Sequence, residues 1–313
     1  MVNSLGSKSA GGGMSSERHL FGSLDTDMKL SCLRQYLTAY SIALKSKGFA
    51  RVYIDAFAGT GSRTVTHASL PIFSKGEETT IEVTTAGSAS IALEVEPGFH
   101  HIVLIEQDTA KIDGLNSLLS RHRNKPAWVR TGDANEIVQR VCRKYDWHRE
   151  NMRGVIFLDP YGMEVSWETV KAIADTQALD CWYFFPLSGL YRNSPRDPGK
   201  LDQGKIDNLN RVLGTDAWRT EWYETNPYQT DMFEQPATEY RSFDVDQIEA
   251  WVQKRLSSVF KGKVLKPLRL RHANGAPMAS LFFAVSNPNA QAVKVASRIA
   301  DHILKAGMLS QVR

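Results

Sequence analysis

What constrains this chain most is a series of short apolar runs that alternate with helix-like stretches. The runs are RVYIDAFAG (51–59), HIVLIEQD (101–108), AWVRTGD (127–133), GVIFLDPYG (154–162) and LDCWYFFP (179–186). DTAKIDGLNSLLSRHR follows the second, ANEIVQRVCRKY the third and WETVKAIADTQ the fourth. Strand, helix, strand in repetition is what a parallel sheet covered on both faces requires, since each parallel pair needs a crossover. Such sheets hold ligands at the C-terminal ends of their strands. Here those ends fall at Asp55, Glu106, Asp133 and Asp159. Asp is a common turn residue, so each acid alone has an ordinary explanation. As a set they predict one rim facing a ligand rich in hydroxyl and amino groups.

Residues 1–20 are dominated by Gly, Ser and isolated charges, which reads as a flexible leader or as a cloning remnant ahead of an original start at Met14. Residues 21–313 read as one domain. Near its start, DTDMKLSCLRQYLTAYSIALKSK places Leu30, Leu33, Leu37, Tyr40 and Leu44 at helical spacing and predicts an amphipathic helix ending near Gly48. Two insertions interrupt the alternation, at 62–98 and 187–245. The first is rich in Thr and Ser and carries a short helix in GSASIALEV; the second contains YRNSPRDPGKLDQG, read as a mobile loop, and helices in IDNLNRVLG and TDAWRTEWYE. Insertions at a rim serve as substrate walls or lids, or are inert elaborations or oligomer contacts. Toward the end, KVLKPLRLRH and ASLFFAVSN flank Asn274-Gly275, a hairpin-turn signal, and AQAVKVASRIADHILKAG predicts a helix covering a sheet face.

Composition excludes several classes. With 42% apolar and 23% charged residues in 313, the chain has the material of a folded globular protein. No apolar run approaches the roughly eighteen residues of a membrane span, and the N-terminus has no apolar signal core, so a cytoplasmic protein is expected. Cys32, Cys142 and Cys181 form no CxxC pair and read as small buried hydrophobes. No HExxH or comparable spacing is present, and no metal is expected. The formal net charge is +4. Lys261, Lys263, Lys266, Arg269 and Arg271 form an acid-free basic run, and Arg121, Arg123 and Lys125 a second; each is either a nucleic-acid contact or a solvated face. Arg269 and Arg271 alternate with Leu268 and Leu270, so they share one face that touches backbone phosphates or simply meets solvent. Leu187, Tyr191 and Arg192, at the exit of the last run, would border a substrate pocket at the rim.

The glycine turn narrows the ligand. FAGTGSRT lacks the spacing and the Lys of a phosphate loop, and Thr64 stands where a dinucleotide fingerprint needs its third Gly. Asp55, four positions before Gly59, would repel a pyrophosphate and suit an ammonium, or a network of water and backbone amides, so that it places a ligand directly or through water. S-adenosylmethionine carries an amino acid head, a ribose and an adenine without any phosphate, and fits those charges. On this reading Asp55, with Ala56 and Phe57 beside it, places the head, and Gly59 and Gly61 let the backbone approach. Glu106 accepts from the ribose hydroxyls, and Asp133 takes the adenine amino group with Ala134 as a backbone donor.

DAFAGTG followed by an acid at the second strand resembles the class I S-adenosylmethionine-dependent methyltransferases, and the closing hairpin looks like their sixth and seventh strands. The resemblance implies an α/β, Rossmann-like fold with a mostly parallel seven-stranded sheet and a C-terminal antiparallel hairpin. KLSCLRQYLTAY, YIDAFAGTG, GSASIAL, VLIEQD, FLDPYG and LFFAVSNP together resemble, more narrowly, the three-Cys-motif partner protein (TcmP) family over about residues 25–305, with Ala89 where that family has Pro. The family name implies a separate partner protein bearing a three-Cys motif. FLDPYG is similar to the Asp/Asn-Pro-Pro-Tyr/Phe motif of methyltransferases acting on exocyclic amino groups, with one Pro missing. That likeness implies that Asp159 and Pro160 orient an acceptor nitrogen and that Tyr161 stacks on a base. No thiol is placed for cytosine C5 chemistry, and no GxSxG elbow is present. The expected function is methyl transfer to an exocyclic amino group of a DNA or RNA base, such as adenine N6. The alternatives are a TcmP-like accessory or binding protein acting with its partner, or a methyltransferase for a protein or small molecule.

Overall fold

The structure, a computed structural model, describes residues 13–68, 80–225, 239–272 and 274–310, without the side chains of 13–26, 63–68 and 80–84. Helix α1 (Gly13–Leu44) leads into β1 (Ala50–Asp55). A hairpin of β2 (Ser62–Ala68) and β3 (Thr80–Ala86), then α2 (Ser88–Glu94), separate β1 from β4 (His101–Glu106). The alternation continues through α3 (Thr109–Arg121), β5 (Ala127–Thr131), α4 (Ala134–Lys144), β6 (Met152–Leu158), α5 (Trp167–Asp175) and β7 (Leu179–Phe185). Beyond it come α6 (Leu187–Asn193), α7 (Gln203–Leu213), α8 (Trp218–Glu221), the short pair β8 (Tyr223–Thr225) and β9 (Glu239–Arg241), and α9 (Val245–Val259). The chain closes with β10 (Lys263–Val264), β11 (Leu268–Arg271), β12 (Pro277–Val285) and α10 (Ala290–Ser310).

Five strands are parallel, in the order β7-β6-β1-β4-β5. β12 runs antiparallel against β7, with Ser280 opposite Phe185 and Val285 opposite Asp180. Both β10 and β11 pair with the outer edge of β12, at successive stretches of it. The expected single strand KVLKPLRLRH is therefore split in two at Pro267, whose ring nitrogen has no hydrogen for the ladder. The sheet has eight strands in seven positions, mostly parallel with a reversed C-terminal hairpin.

Alternation along β1 sends Val52 and Ile54 to one face and Tyr53 to the other. The first face is covered by α4, α5, α7 and α9, and the second by α1, α2, α3 and α10. The stripe of α1 does what its spacing predicts: Leu33, Tyr36, Leu37 and Tyr40 are buried. Cutting Leu33 or Leu37 to Ala would cost about 2–5 kcal/mol in transfer and cavity energy.

Several boundaries differ from the sequence reading. α1 starts at Gly13, so the part of the 1–20 leader from residue 13 onward is helical, while residues 1–12 lie outside the described residues. AWVRT reads as a buried strand, yet β5 is the sheet edge, with Trp128 42% exposed. The 191–204 loop takes defined form, ending α6 at Asn193 and making a 3-10 turn over Pro198–Lys200. In TDAWRTEWYE only Trp218–Glu221 is helical, and the chain then extends into β8.

The three cysteines are buried and free; burial pushes the Cys32 thiol up to about 11 and Cys142 to about 12. Among the described residues no helix is long and apolar enough to cross a membrane.

Candidate functional site

At the C-terminal end of β1 the backbone leaves one neighbour for the other. Ala56 N donates to Phe157 O of β6 at 3.0 Å, and Ala58 N to Ile105 O of β4 at 2.9 Å. The turn that follows needs left-handed backbone at Gly59 (φ 59°) and Gly61 (φ 74°). These two glycines differ in their surroundings. A Cβ on Gly61 would lie 2.5 Å from Leu118 Cδ2, whereas one on Gly59 would meet nothing within 4 Å. Gly61 is thus a packing position, and Gly59 borders open space. Helix α2 holds the turn from below, where Ser90 Oγ donates to Gly61 O at 2.6 Å.

Asp55 shares the α1/α2 face with Tyr53 and is 0% exposed. Its carboxyl accepts from Phe57 N at 3.3 Å and Tyr53 Oη at 3.2 Å, and also from Ser88. Burial pushes its pKa up to about 7; the Ser88, Phe57 and Tyr53 hydrogen bonds pull it back and the charge of Asp159 adds to the rise. Of the two surroundings its position suggests, Asp55 has the hydrogen-bonded network that includes a backbone amide. The carboxyl is closed off, with Ala56 buried and Phe57 half-buried beyond it, and it acts by fixing the Phe57 amide and the Ser88 hydroxyl.

Glu106 does reach the turn. Its Oε2 accepts from Gly59 N at 2.9 Å, while Oε1 accepts from Gln107 N and Asp108 N at 3.0 Å each. A carboxylate offers about four acceptor positions, so one stays free for a ligand hydroxyl. Asp133 is exposed and caps α4, its Oδ1 accepting from Glu136 N at 3.0 Å, and Ala134 opens that helix. Gly132 N bonds Glu106 O at 3.1 Å, which ties the β5 exit to the β4 exit. Gly59, Glu106 and Asp133 thus follow one another along the ends of β1, β4 and β5.

On the other side of β1, Asp159 follows β6 and carries the feature that sequence reasoning missed. Lys29 Nζ of α1 donates to both of its carboxylate oxygens at 2.7 Å, from 130 residues away. The pair is largely enclosed, with side chains 12% and 20% exposed. The same ammonium sits 4.3 Å over the ring of half-buried Phe184, near the end of β7. A signal existed: Lys29, Leu33, Tyr36 and Tyr40 follow at spacings of four, three and four, so this lysine lies in the stripe that α1 buries.

Pro160 is buried, and Tyr161 beyond it is 82% exposed. Lys111 Nζ of α3 stands 4.5 Å from the Tyr161 ring centroid. One face of that ring is therefore already occupied, and a stacking base would take the other.

No family model and no curated protein matches the chain. Solved structures do. A Legionella pneumophila protein assigned to the DUF519 family model is 14% identical, covering 90% of this chain and 93% of its own, with a TM-score of 0.48. The N-terminal domain of EvdMO1, solved with SAH bound, is 10% identical over 80% of this chain and 79% of its own, with a TM-score of 0.35. A protein described as "Putative methyltransferase yhhF from Escherichia coli" is 16% identical over 48% of this chain and 67% of its own, with a TM-score of 0.28.

The architecture on its own is α/β and Rossmann-like, a mostly parallel sheet closed by a reversed C-terminal hairpin. Its outer basic residues divide into two kinds. Arg269 of β11, expected to meet phosphates, is instead bound to Asp246 and Glu249 of α9, and those carboxylates use up its charge. Its guanidinium is correspondingly held even more firmly protonated, through the Glu249 hydrogen bond first. Lys266 and Arg271 are exposed; Arg271 Nη1 donates to Gly275 O at 2.9 Å within the hairpin turn. Arg192 is exposed on α6, one helix beyond the end of β7. Register places Arg271 and the hairpin turn at the same sheet edge as Asp159, because Arg269 pairs with Ser280 and Ser280 with Phe185.

Proposed function

We propose that this chain is an S-adenosylmethionine-dependent methyltransferase acting on an exocyclic amino group of a nucleic-acid base, adenine N6 above all. One observation carries the reading: the Gly59–Glu106 turn and the Asp159-Pro160-Tyr161 corner leave adjacent strands, β1 and β6, at one sheet edge. The residues present suit the cofactor. Gly59 borders open space, Glu106 keeps an acceptor position for a ribose hydroxyl, and Asp133 keeps a free carboxylate oxygen for an adenine amino group. Asp55 supports the head through the Phe57 amide and Ser88.

When bound, the cofactor supplies an electrophilic methyl group on a sulfonium sulfur. The chain's contribution is to position the acceptor and to dispose of charge. Asp159, paired with Lys29 at 2.7 Å, accepts a hydrogen bond from the acceptor amino group and so turns the nitrogen lone pair toward the rim. Lys29 uses one acceptor position on each carboxylate oxygen and leaves the others for substrate. Tyr161 presents its open face to the base, and the Phe184 ring beneath Lys29 walls the corner against water. The exposed Arg192, Lys266 and Arg271 would meet backbone phosphates. The motif order shared with the TcmP family supports a separate three-Cys-motif protein as a partner in this activity.

The test is a transfer assay with methyl-labelled cofactor against pooled DNA and RNA, followed by mass identification of the modified nucleoside. D159A should keep cofactor affinity and lose transfer. Transfer by D159A at the parent's rate would end the acceptor assignment, and folded protein that binds no cofactor would end the enzyme reading.

A further inference from the structure

At the opposite edge of the sheet, where the parallel strands begin, lies a cavity of about 580 Å³ between α1, α10 and the starts of β6 and β7. Asp180, near the start of β7, is five residues from Phe185, roughly 16 Å at strand rise, so this cavity is remote from the rim. Its volume falls within the range of small-molecule sites. Leu44, Phe49, Val295 and Ile299 supply apolar wall, and Tyr36 and Tyr40 supply aromatic faces.

The charges in it are unusual. Asp180 is 8% exposed, is the one acid lining the cavity, and has no ion pair among the described residues. Its one hydrogen bond there comes from Tyr36 Oη, at 2.6 Å to Oδ2. Burial pushes its pKa up to about 7, the Tyr36 bond pulling the other way. A buried carboxylate normally sits against a cation. Two cations line the same cavity without meeting it. Arg153 spends Nη1 on Met152 O and lies over the Phe49 ring, and Lys47 is exposed on the turn after α1. An enclosed acid shares the cavity with half-buried Arg153, with His148 whose Nδ1 lies 3.4 Å from Arg153 Nη2, and with exposed Lys47, all set in apolar wall, which is the complement of a molecule with an ammonium at one end, an anionic group at the other and an apolar body.

We propose that this cavity binds a small zwitterionic amine, its ammonium against Asp180 and Tyr36 and its carboxylate toward Arg153 and Lys47. The site is independent of the methyl-transfer reading and would stand if that reading failed. Binding would remove the reason for Asp180 to hold a proton, so the complex should form with proton release near neutral pH.

Calorimetry on the full chain tests this with two zwitterions, L-phenylalanine and 5-aminopentanoate, beside their single-charge analogues phenethylamine, 3-phenylpropionate, pentylamine and pentanoate. At least one zwitterion should bind roughly tenfold or more tighter than both of its analogues, and D180N should weaken it roughly tenfold or more, with cofactor affinity unchanged. Should D180N fail to fold, Tyr36→Phe serves, since it removes the hydroxyl on Oδ2 and should weaken the same ligand. Binding of no probe at millimolar concentration, equal binding of zwitterion and plain amine, or D180N binding as the parent does would each overturn the proposal.

Discussion

Replacing Asp55 by Asn should make the protein more stable at alkaline pH. The carboxyl is fully buried with three donors and, among the described residues, no cation touching it, and its pKa stands near 7 against an ordinary value of 3.8. That difference of about three units corresponds to roughly 4 kcal/mol. The sign follows from which state holds the proton. Below about pH 4 both folded and unfolded chains are protonated at this site and nothing is lost. Between pH 4 and 7 the folded chain keeps a proton that the unfolded chain has released, so stability falls as pH rises, and above 7 the full cost is present. The Asn variant has no such cost, and Asp180 contributes equally to parent and variant. Urea unfolding followed by circular dichroism at pH 5 and pH 8 should therefore show the variant's advantage widening by roughly 2–3 kcal/mol between the two. An offset from the altered hydrogen bonds would be the same at both. A gap that stays constant or narrows toward pH 8 would refute the claim that a buried charge is held there at a cost.

Lys29→Met should lower stability by about 1–3 kcal/mol by leaving Asp159 unpaired, and the K29M/D159N double variant should recover most of it, as chemical unfolding would report. In the transfer assay K29M should lose turnover while cofactor binding persists. Arg269→Ala should cost about 1–3 kcal/mol in unfolding experiments, through loss of its α9 carboxylates, yet leave nucleic-acid affinity unchanged. Replacing Arg192, Lys266 and Arg271 together should instead flatten the salt dependence of that affinity, with little effect on the unfolding midpoint.

The layered parallel sheet was legible because its signals are local: each apolar run and each helix stripe carries its own period. Glu106 and the glycine pair were legible for a similar reason, since a strand end and a positive φ are written in a few adjacent residues. Lys29 and Arg269 were not. Whether a lysine on an apolar stripe finds an acid, or an arginine on an edge strand meets a phosphate or its own helix, depends on a neighbour 130 or about 20 residues away. Asp55 shows the same limit from another side. Its position before the turn suited either an ammonium or a network of water and backbone amides, and only the packing of Tyr53 and α2 around it decides for an enclosed network. The split at Pro267 was visible as a residue, but its effect depends on which edge of β12 it faces.

The reversal of β12 has a consequence for how such a protein can change over generations. Because β12 runs against its neighbours, the turn joining it to β11 arrives beside the ends of β6 and β7; a parallel strand would have sent that turn to the Asp180 edge. The chain therefore carries, at one border, a loop whose length and charge can vary without touching Gly59 or Glu106, three and four strands away. If the proposed methyl transfer holds, target choice can drift there while the residues at the Gly59 and Glu106 end stay as they are.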